Sequence, residues 1–396
     1  MPTTELKFAP KRGYRILMTA DTVGGIWDYA LELSRSLIPY NCQFVLATMG
    51  MEPSRAQRLA AAELHNLTLC PSSFRLEWME DPWTDVEAAA DWLLDLEAKW
   101  LPDIVHLNGF VHGALSWRAP ALIVGHSCAA SWIDAVRGET PGPEWDDYRR
   151  RVALGLGAAA QVTAPSAAML CSLKKHYGRF SAALPVYNGR SAEDFLPRHK
   201  EPLILAAARL WDEAKNLKIL ESIAARLDWP IYIAGENRPP GPSSAVAIGG
   251  VTLLGRLKPS ALADWLGRAA IFVHPARYEP FGLAVLEAAL AGCALVLGDI
   301  PSLREIWRGA ALYVSPTDPA AIQQALQSLI VAPERRRSLG QAARQRARRF
   351  SPARMARGYM KLYNKLASGR YPSRKKSQFT SGRVVNSDLP QRKSAS

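Results

Sequence analysis

The segment Ile271–Glu287 limits the folds open to this chain more than any other. The apolar run Ile271-Phe-Val-His-Pro275 has the length and composition of a buried strand, and Glu279-Pro-Phe-Gly-Leu-Ala-Val-Leu-Glu287 follows as a short loop opening a helix. Strand, loop and helix in that order form half of a βαβ unit, which builds parallel sheets covered by helices. Pro280 suits a first helical position, where its missing N–H costs nothing. The amides of Phe281, Gly282 and Leu283 are then expected to have no partner inside the helix, with the positive end of its dipole behind them. Such a cradle suits a phosphate or polarised sugar oxygens. Glu279 and Glu287 bracket it, about 12 Å apart if the residues between them are helical.

The same rhythm runs along the whole chain. Tyr14–Ala20, Phe44–Thr48, Asp103–Leu107 and Ala121–Gly125 read as strands, while Ile26–Leu37 and Val86–Trp100 carry apolar residues at helical spacing. A second series holds strands at Leu203–Ala207, Ile231–Ala234, Val251–Leu254, Ile271–His274, Leu295–Leu297 and Ala311–Val314, with helices at Leu217–Leu227 and Ala320–Leu329. Ser351-Pro352 starts one more helix, running to Ala367. A chain of 396 residues is long enough for two domains with full cores. The expected organisation is α/β: two Rossmann-like domains at residues 1–187 and 188–350, a helix at 351–367, and a polar, basic, disordered tail at 368–396.

A group that binds an anion would not normally surround it with acids. A ligand with both a phosphate and vicinal hydroxyls would use both, and a nucleotide-sugar is such a ligand. Glu-x7-Glu around Pro-Phe-Gly, after a strand ending in Pro, resembles the donor site of family 4 retaining glycosyltransferases (glycosyl transferases group 1), enzymes of the GT-B fold. The resemblance covers residues 14–367 and implies two domains facing each other across a central cleft. The first would bind the acceptor and the second the nucleotide-sugar, with the helix at 351–367 crossing back to the first. By resemblance Glu279 and the amides of Phe281, Gly282 and Leu283 hold the transferred sugar, and Glu287 binds the ribose hydroxyls.

Other strand ends carry chemistry too. Arg209 and Lys215 lie between Leu203–Ala207 and the helix after it, where a guanidinium fork and an ammonium suit a diphosphate. In the family these cations neutralise the leaving nucleotide diphosphate; the loop here is one residue longer than the common spacing. His126 ends Ala121–Gly125, where family members place a His against the donor sugar. Gly24-Gly25 follows the first strand, at the carboxyl end of the sheet where ligands bind, and glycines there allow close approach to a phosphate or sugar. Plainer readings stand beside these: two solvated cations, a packed His and a tight turn. Ser166 and Asn188-Gly189 match family positions near the domain junction, the latter as a hinge turn. Trp117, Trp132, Trp145 and Tyr148 are either acceptor surface or core.

The implied reaction moves a sugar, as a hexosyltransferase does, from a nucleotide-diphosphate sugar to a hydroxyl with the anomeric configuration kept. Its acceptor would be a saccharide or a lipid-linked group, in polysaccharide, lipopolysaccharide or glycolipid synthesis. The catalytic set is Glu279, His126, Arg209 and Lys215. No cofactor and no obligatory metal are expected: no Asp-x-Asp pair stands at the expected strand end, and cations compensate the charge in the family. Two alternatives belong to other classes: a sugar-nucleotide epimerase or hydrolase of the same fold, and a catalytically silent member docked to a membrane through its tail.

The net charge of +13 misleads until it is located. Residues 334–396 hold 18 Lys and Arg against Glu334 and Asp388, and the remainder has 31 basic and 34 acidic side chains. The body is therefore close to neutral, which argues against a nucleic-acid binder. The tail suits peripheral contact with anionic lipid, each cation contributing about 1 kcal/mol near the surface. Cys42, Cys70, Cys128, Cys171 and Cys293 are odd in number and lack Cys-x-x-Cys spacing, so the expected compartment is a reducing cytoplasm. No secretory apolar region follows the start, and the apolar stretch Ala288–Gly298 is too short to span a bilayer.

Overall fold

The computed structural model describes residues 13–239 and 244–369. Within them the first sheet contains β1 (Arg15–Asp21), β2 (Gln43–Met49), β3 (Leu67–Pro71), β4 (Ile104–Leu107), β5 (Ala121–Val124) and β6 (Gln161–Thr163). The second contains β7 (Glu201–Ala207), β8 (Ile231–Ala234), β9 (Thr252–Gly255), β10 (Ala269–His274), β11 (Ala294–Gly298) and β12 (Leu312–Val314). The orders are β3-β2-β1-β4-β5-β6 and β12-β11-β10-β7-β8-β9, and every pairing is parallel. Each sheet thus winds outward from its own first strand, the Rossmann arrangement. The winding reverses between β1 and β4 and between β7 and β10. In such sheets the crevice beyond the carboxyl ends at this reversal is where ligands bind.

Continuous burial explains why the central strands were legible. All residues of β4, β5 and β10 are buried, as expected for strands with helices on both faces. The edge strands β3 and β6 carry weaker signals: β3 is half-buried and β6 is only Gln161-Val-Thr. The last described helix, Pro352–Ala367, turns Met355, Tyr359, Tyr363 and Leu366 inward at helical spacing. They share a core with Ile16 and Met18 of β1, Phe44 of β2 and Trp27 of the first helix, so this segment packs on the first domain. Most of the basic tail expected at 368–396 lies outside the described residues.

Two local expectations are corrected. Leu217–Leu227 is not one helix but a 3-10 turn, Leu217–Leu220, followed by the short helix Glu221–Ala224. Its most deeply buried residues, Leu217, Leu220 and Ile223, recur every third position, the repeat of a three-residue turn. Pro280 is not a first helical residue either. The helix is Leu283–Leu290, and Gly282 precedes it at φ +87°, a left-handed conformation that no helix passes through. Glu279 and Glu287 therefore do not share one helix, and Phe281 belongs to the loop.

Candidate functional site

A cavity of about 600 Å³ opens between the carboxyl ends of the two sheets. Gly24, Gly25 and His126 line it from the first domain; Arg209, Lys215, Phe281 and Leu283 line it from the second. The helix Gly25–Ser36 begins at the mouth of β1, and a Cβ added at Gly24 would stand 3.7 Å from Arg209 Nη1. The Gly24 amide is not free, however: it donates to Asp21 Oδ1 at 3.0 Å.

On the second domain Lys215 ends a 3-10 turn capped by Asp212, and its Nζ donates to Glu279 Oε2 at 2.8 Å. His274, at the end of β10, stands 3.2 Å from the same oxygen. Burial alone would raise the Glu279 carboxyl, but the Lys215 ammonium and His274 together hold it well below the usual carboxylate range. The group is therefore an ionised acceptor, with its main chain fixed by Ser302 Oγ on the Glu279 carbonyl. Phe281 N–H makes a long contact to Glu279 Oε1 at 3.4 Å. The amides of Gly282 and Leu283 take no acceptor among the described residues. Arg209 Nη2 donates to Asp212 Oδ2 at 2.8 Å, and its guanidinium covers the ring of Trp211.

Glu279, Gly282 and Glu287 do not line this cavity. Glu279 lies behind Lys215. Glu287, 7 % exposed, accepts from Arg190 Nε at 2.9 Å. Arg190 was not anticipated; it follows the Asn188-Gly189 turn and also faces Glu32 at 3.6 Å and Asp28 at 3.9 Å on the helix Gly25–Ser36. Burial works against the Arg190 charge, but the three carboxylates overcome it and raise its pKa. Burial raises the Glu287 carboxyl in spite of Arg190. No local spacing signalled this cluster, because Arg190 and Glu287 are 97 positions apart and Asp28 and Glu32 join them only when the domains meet.

Other contacts also join the domains at the motif loop. Ser166 Oγ donates to the Pro280 carbonyl at 2.7 Å while capping the helix Ala167–Tyr177. The first two amides of that helix, Ala167 and Ala168, donate to Glu305 of the second domain at 2.9 and 2.8 Å. Tyr278 OH accepts from Ser127 Oγ at 3.2 Å and donates to Met169 Sδ at 3.3 Å. Of the undecided aromatics, Trp132, Trp145 and Tyr148 reach the cavity, and Trp132 Nε1 donates across it to Asp212 at 3.3 Å. Trp117 is absent from the cavity wall and packs against the first domain's core. Glu77, also unanticipated, lines the cavity with its carboxylate on the amides of Phe110 and Val111. Burial raises its carboxyl to about 7, although those amides pull it down.

Residues 23–193 match the sequence model described as Glycosyltransferase Family 4, and residues 201–331 match Glycosyl transferases group 1. The two matches together span about three quarters of the chain. Glycogen synthase of Mycobacterium tuberculosis is 36% identical over 121 residues, 30% of this chain and 27% of the relative. The alignment thus spans about a quarter of that relative's length. Among solved structures, sucrose-phosphate synthase from Thermosynechococcus elongatus superposes with a TM-score of 0.75 at 17% identity, over 90% of this chain and 99% of that one. The Anabaena HepE protein in complex with UDP-glucose superposes with a TM-score of 0.70 at 15% identity, over 89% and 100%. Likeness at such identities shows the fold, which is GT-B.

Proposed function

The chain belongs to the group 1 glycosyltransferases, and we propose that it transfers a sugar from a nucleotide-diphosphate donor to a hydroxyl acceptor with retention of configuration. The observation that carries this reading is the convergence of Arg209, Lys215 and the motif-loop residues Pro280, Phe281 and Leu283 on one cavity, opposite His126 and Gly24. In the reaction proposed here, the diphosphate sits between Arg209 and Lys215. Both cations are held by carboxylates, Asp212 and Glu279, so they are positioned before a ligand arrives. The charge that develops on the departing phosphate is then met by groups already fixed in place, which need no reorganisation as the bond breaks. Lys215 links the two halves of the chemistry, because its partner Glu279 is the ionised acceptor for sugar hydroxyls. Glu287 takes the ribose, with Arg190 holding its carboxylate in place. The acceptor enters along the wall carrying Trp132, Trp145 and Tyr148, on whose rings a saccharide can stack. The cations supply the charge compensation, so no metal is assigned a role. A hexosyl donor and a role in polysaccharide, lipopolysaccharide or glycolipid synthesis complete the reading.

Calorimetric titration with UDP, GDP and ADP tests it, with Lys215→Ala and Glu287→Ala alongside. Micromolar binding of one nucleotide, weakened in both variants, is the expected result. No binding of any of the three by the folded protein would overturn the donor site. With the donor known, the anomeric proton coupling of the product decides retention against inversion, and turnover without acceptor would favour a hydrolase.

A further inference from the structure

His126 and Asn108 meet at the floor of the cavity in an arrangement that restricts what the imidazole can do. Asn108 follows β4, and its amide orientation is determined by its neighbours. Its Nδ2 donates to the Thr19 carbonyl at 2.6 Å, and its own backbone N–H donates to Thr19 Oγ1 at 2.9 Å. A carbonyl oxygen can only accept, so Asn108 must turn its NH₂ to Thr19 and its Oδ1 the other way. Oδ1 lies 2.8 Å from His126 Nε2. An amide oxygen also only accepts, so the proton of a neutral His126 must be on Nε2. Nδ1 then carries a lone pair. It has no hydrogen-bond partner among the described residues, and His126 lines the cavity.

The groups packed around the ring favour the neutral form. Tyr29, from the helix Gly25–Ser36, presents an edge-on ring with centroids 4.5 Å apart. Behind it His106 of β4 bonds Tyr363 OH through Nδ1 at 2.7 Å and Tyr29 OH through Nε2 at 3.3 Å. No carboxylate pairs with His126 among the described residues, and burial lowers its pKa to about 3.

We propose that Asn108 is a positioning residue that locks His126 as the Nε2–H tautomer, so that Nδ1 offers the donor sugar a hydrogen-bond acceptor and nothing else. The site accordingly takes a neutral sugar that presents a hydroxyl at this point. It discriminates against a sugar that presents a carboxylate at this point, which would face a lone pair with no proton between them. This specificity rests on the transferase reading above; the tautomer itself does not.

The experiment has two arms that can fail separately. In long-range ¹H–¹⁵N spectra of the full-length, histidine-labelled protein, His126 should show a protonated Nε2 and an unprotonated Nδ1 throughout pH 5 to 8. In Asn108→Asp the carboxylate should stabilise the imidazolium, so that His126 titrates inside this window and Nδ1 gains a proton. A wild-type His126 that is protonated on Nδ1, or that titrates between pH 5 and 8, overturns the lock without any variant having to fold. In the second arm UDP-glucose should bind at least about tenfold more tightly than UDP-glucuronate, the loss expected when one hydrogen bond at the site becomes a clash of lone pairs. In Asn108→Asp the preference should narrow at low pH, where Nδ1–H can donate. Equal binding of the two by the wild type overturns the specificity. Failure of both to bind counts against the UDP-sugar form of the transferase reading and leaves the imidazole spectrum to decide the lock.

Discussion

Replacing Arg190 with methionine should show how much the buried Arg190–Glu287 pair contributes to stability. The Arg190 side chain is 14% exposed and donates to Glu287, whose side chain is 10% exposed. Methionine fills similar space without charge, so the variant leaves Glu287 buried with no counter-ion. Breaking a buried pair from one side costs about 3–5 kcal/mol, because the remaining charge is left uncompensated. Glu32 keeps Arg35 at 4.0 Å, and the Asp28 side chain is 60% exposed, so the cost falls mainly on Glu287. About 3 kcal/mol at pH 7.5 is therefore the expected loss. Its pH dependence follows from the direction of the Glu287 shift. Burial already raises this carboxyl with Arg190 present, and removing the cation raises it further. A raised acid contributes stability that is full below its unfolded pKa, near 4.3, and lost as pH rises through the folded value. The deficit of the variant should thus be small near pH 4.5 and grow toward pH 7.5. Urea unfolding followed by tryptophan fluorescence at the two pH values reads both quantities. Adding Glu287→Leu should recover more than half of the loss. A deficit below about 1 kcal/mol, or one equal at both pH values, would refute the reasoning.

Three further outcomes follow from the same geometry. Glu305→Ala uncaps the helix Ala167–Tyr177 from the other domain; it should cost about 1 kcal/mol and speed amide exchange at Ala167 and Ala168. Gly282→Ala places a Cβ on a backbone at φ +87°, 3.1 Å from Val285 Cγ2, so thermal unfolding should report a loss of about 1–2 kcal/mol. Glu77, raised to about 7, should contribute stability that is full below about pH 4.3 and lost as pH rises through 7. Glu77→Gln should flatten that segment of the stability–pH curve, a wild-type change of about 3 kcal/mol between pH 5 and 8, and an unchanged curve would rule it out.

How far the sequence could be read depended on how local each signal was. Strands β4, β5 and β10 are buried on both faces, so their apolar runs stand out from one short window. Arg209, Lys215 and the 279–283 loop were legible because each follows such a strand, and the end of a parallel strand is a site by topology. The first turn of the motif helix was misread: Pro280 is compatible with a helix start, and only the left-handed Gly282 decides that the helix begins later. Trp132 and Trp117 have the same local character, yet one borders the cavity and the other is packing.

The sequence by itself determined two parallel α/β domains, the strand-end loops and the residues those loops carry, since hydrophobic period and turn chemistry act over a few residues. Only the tertiary structure decided the partners of those residues. Ser127 and Tyr278 are 151 positions apart, and Ala167 and Glu305 are 138. Neither member of such a pair has any local reason to be where it is. Their pairing comes from two separately wound sheets meeting with their carboxyl ends face to face, and that meeting turns loops chosen by local rules into one shared cleft.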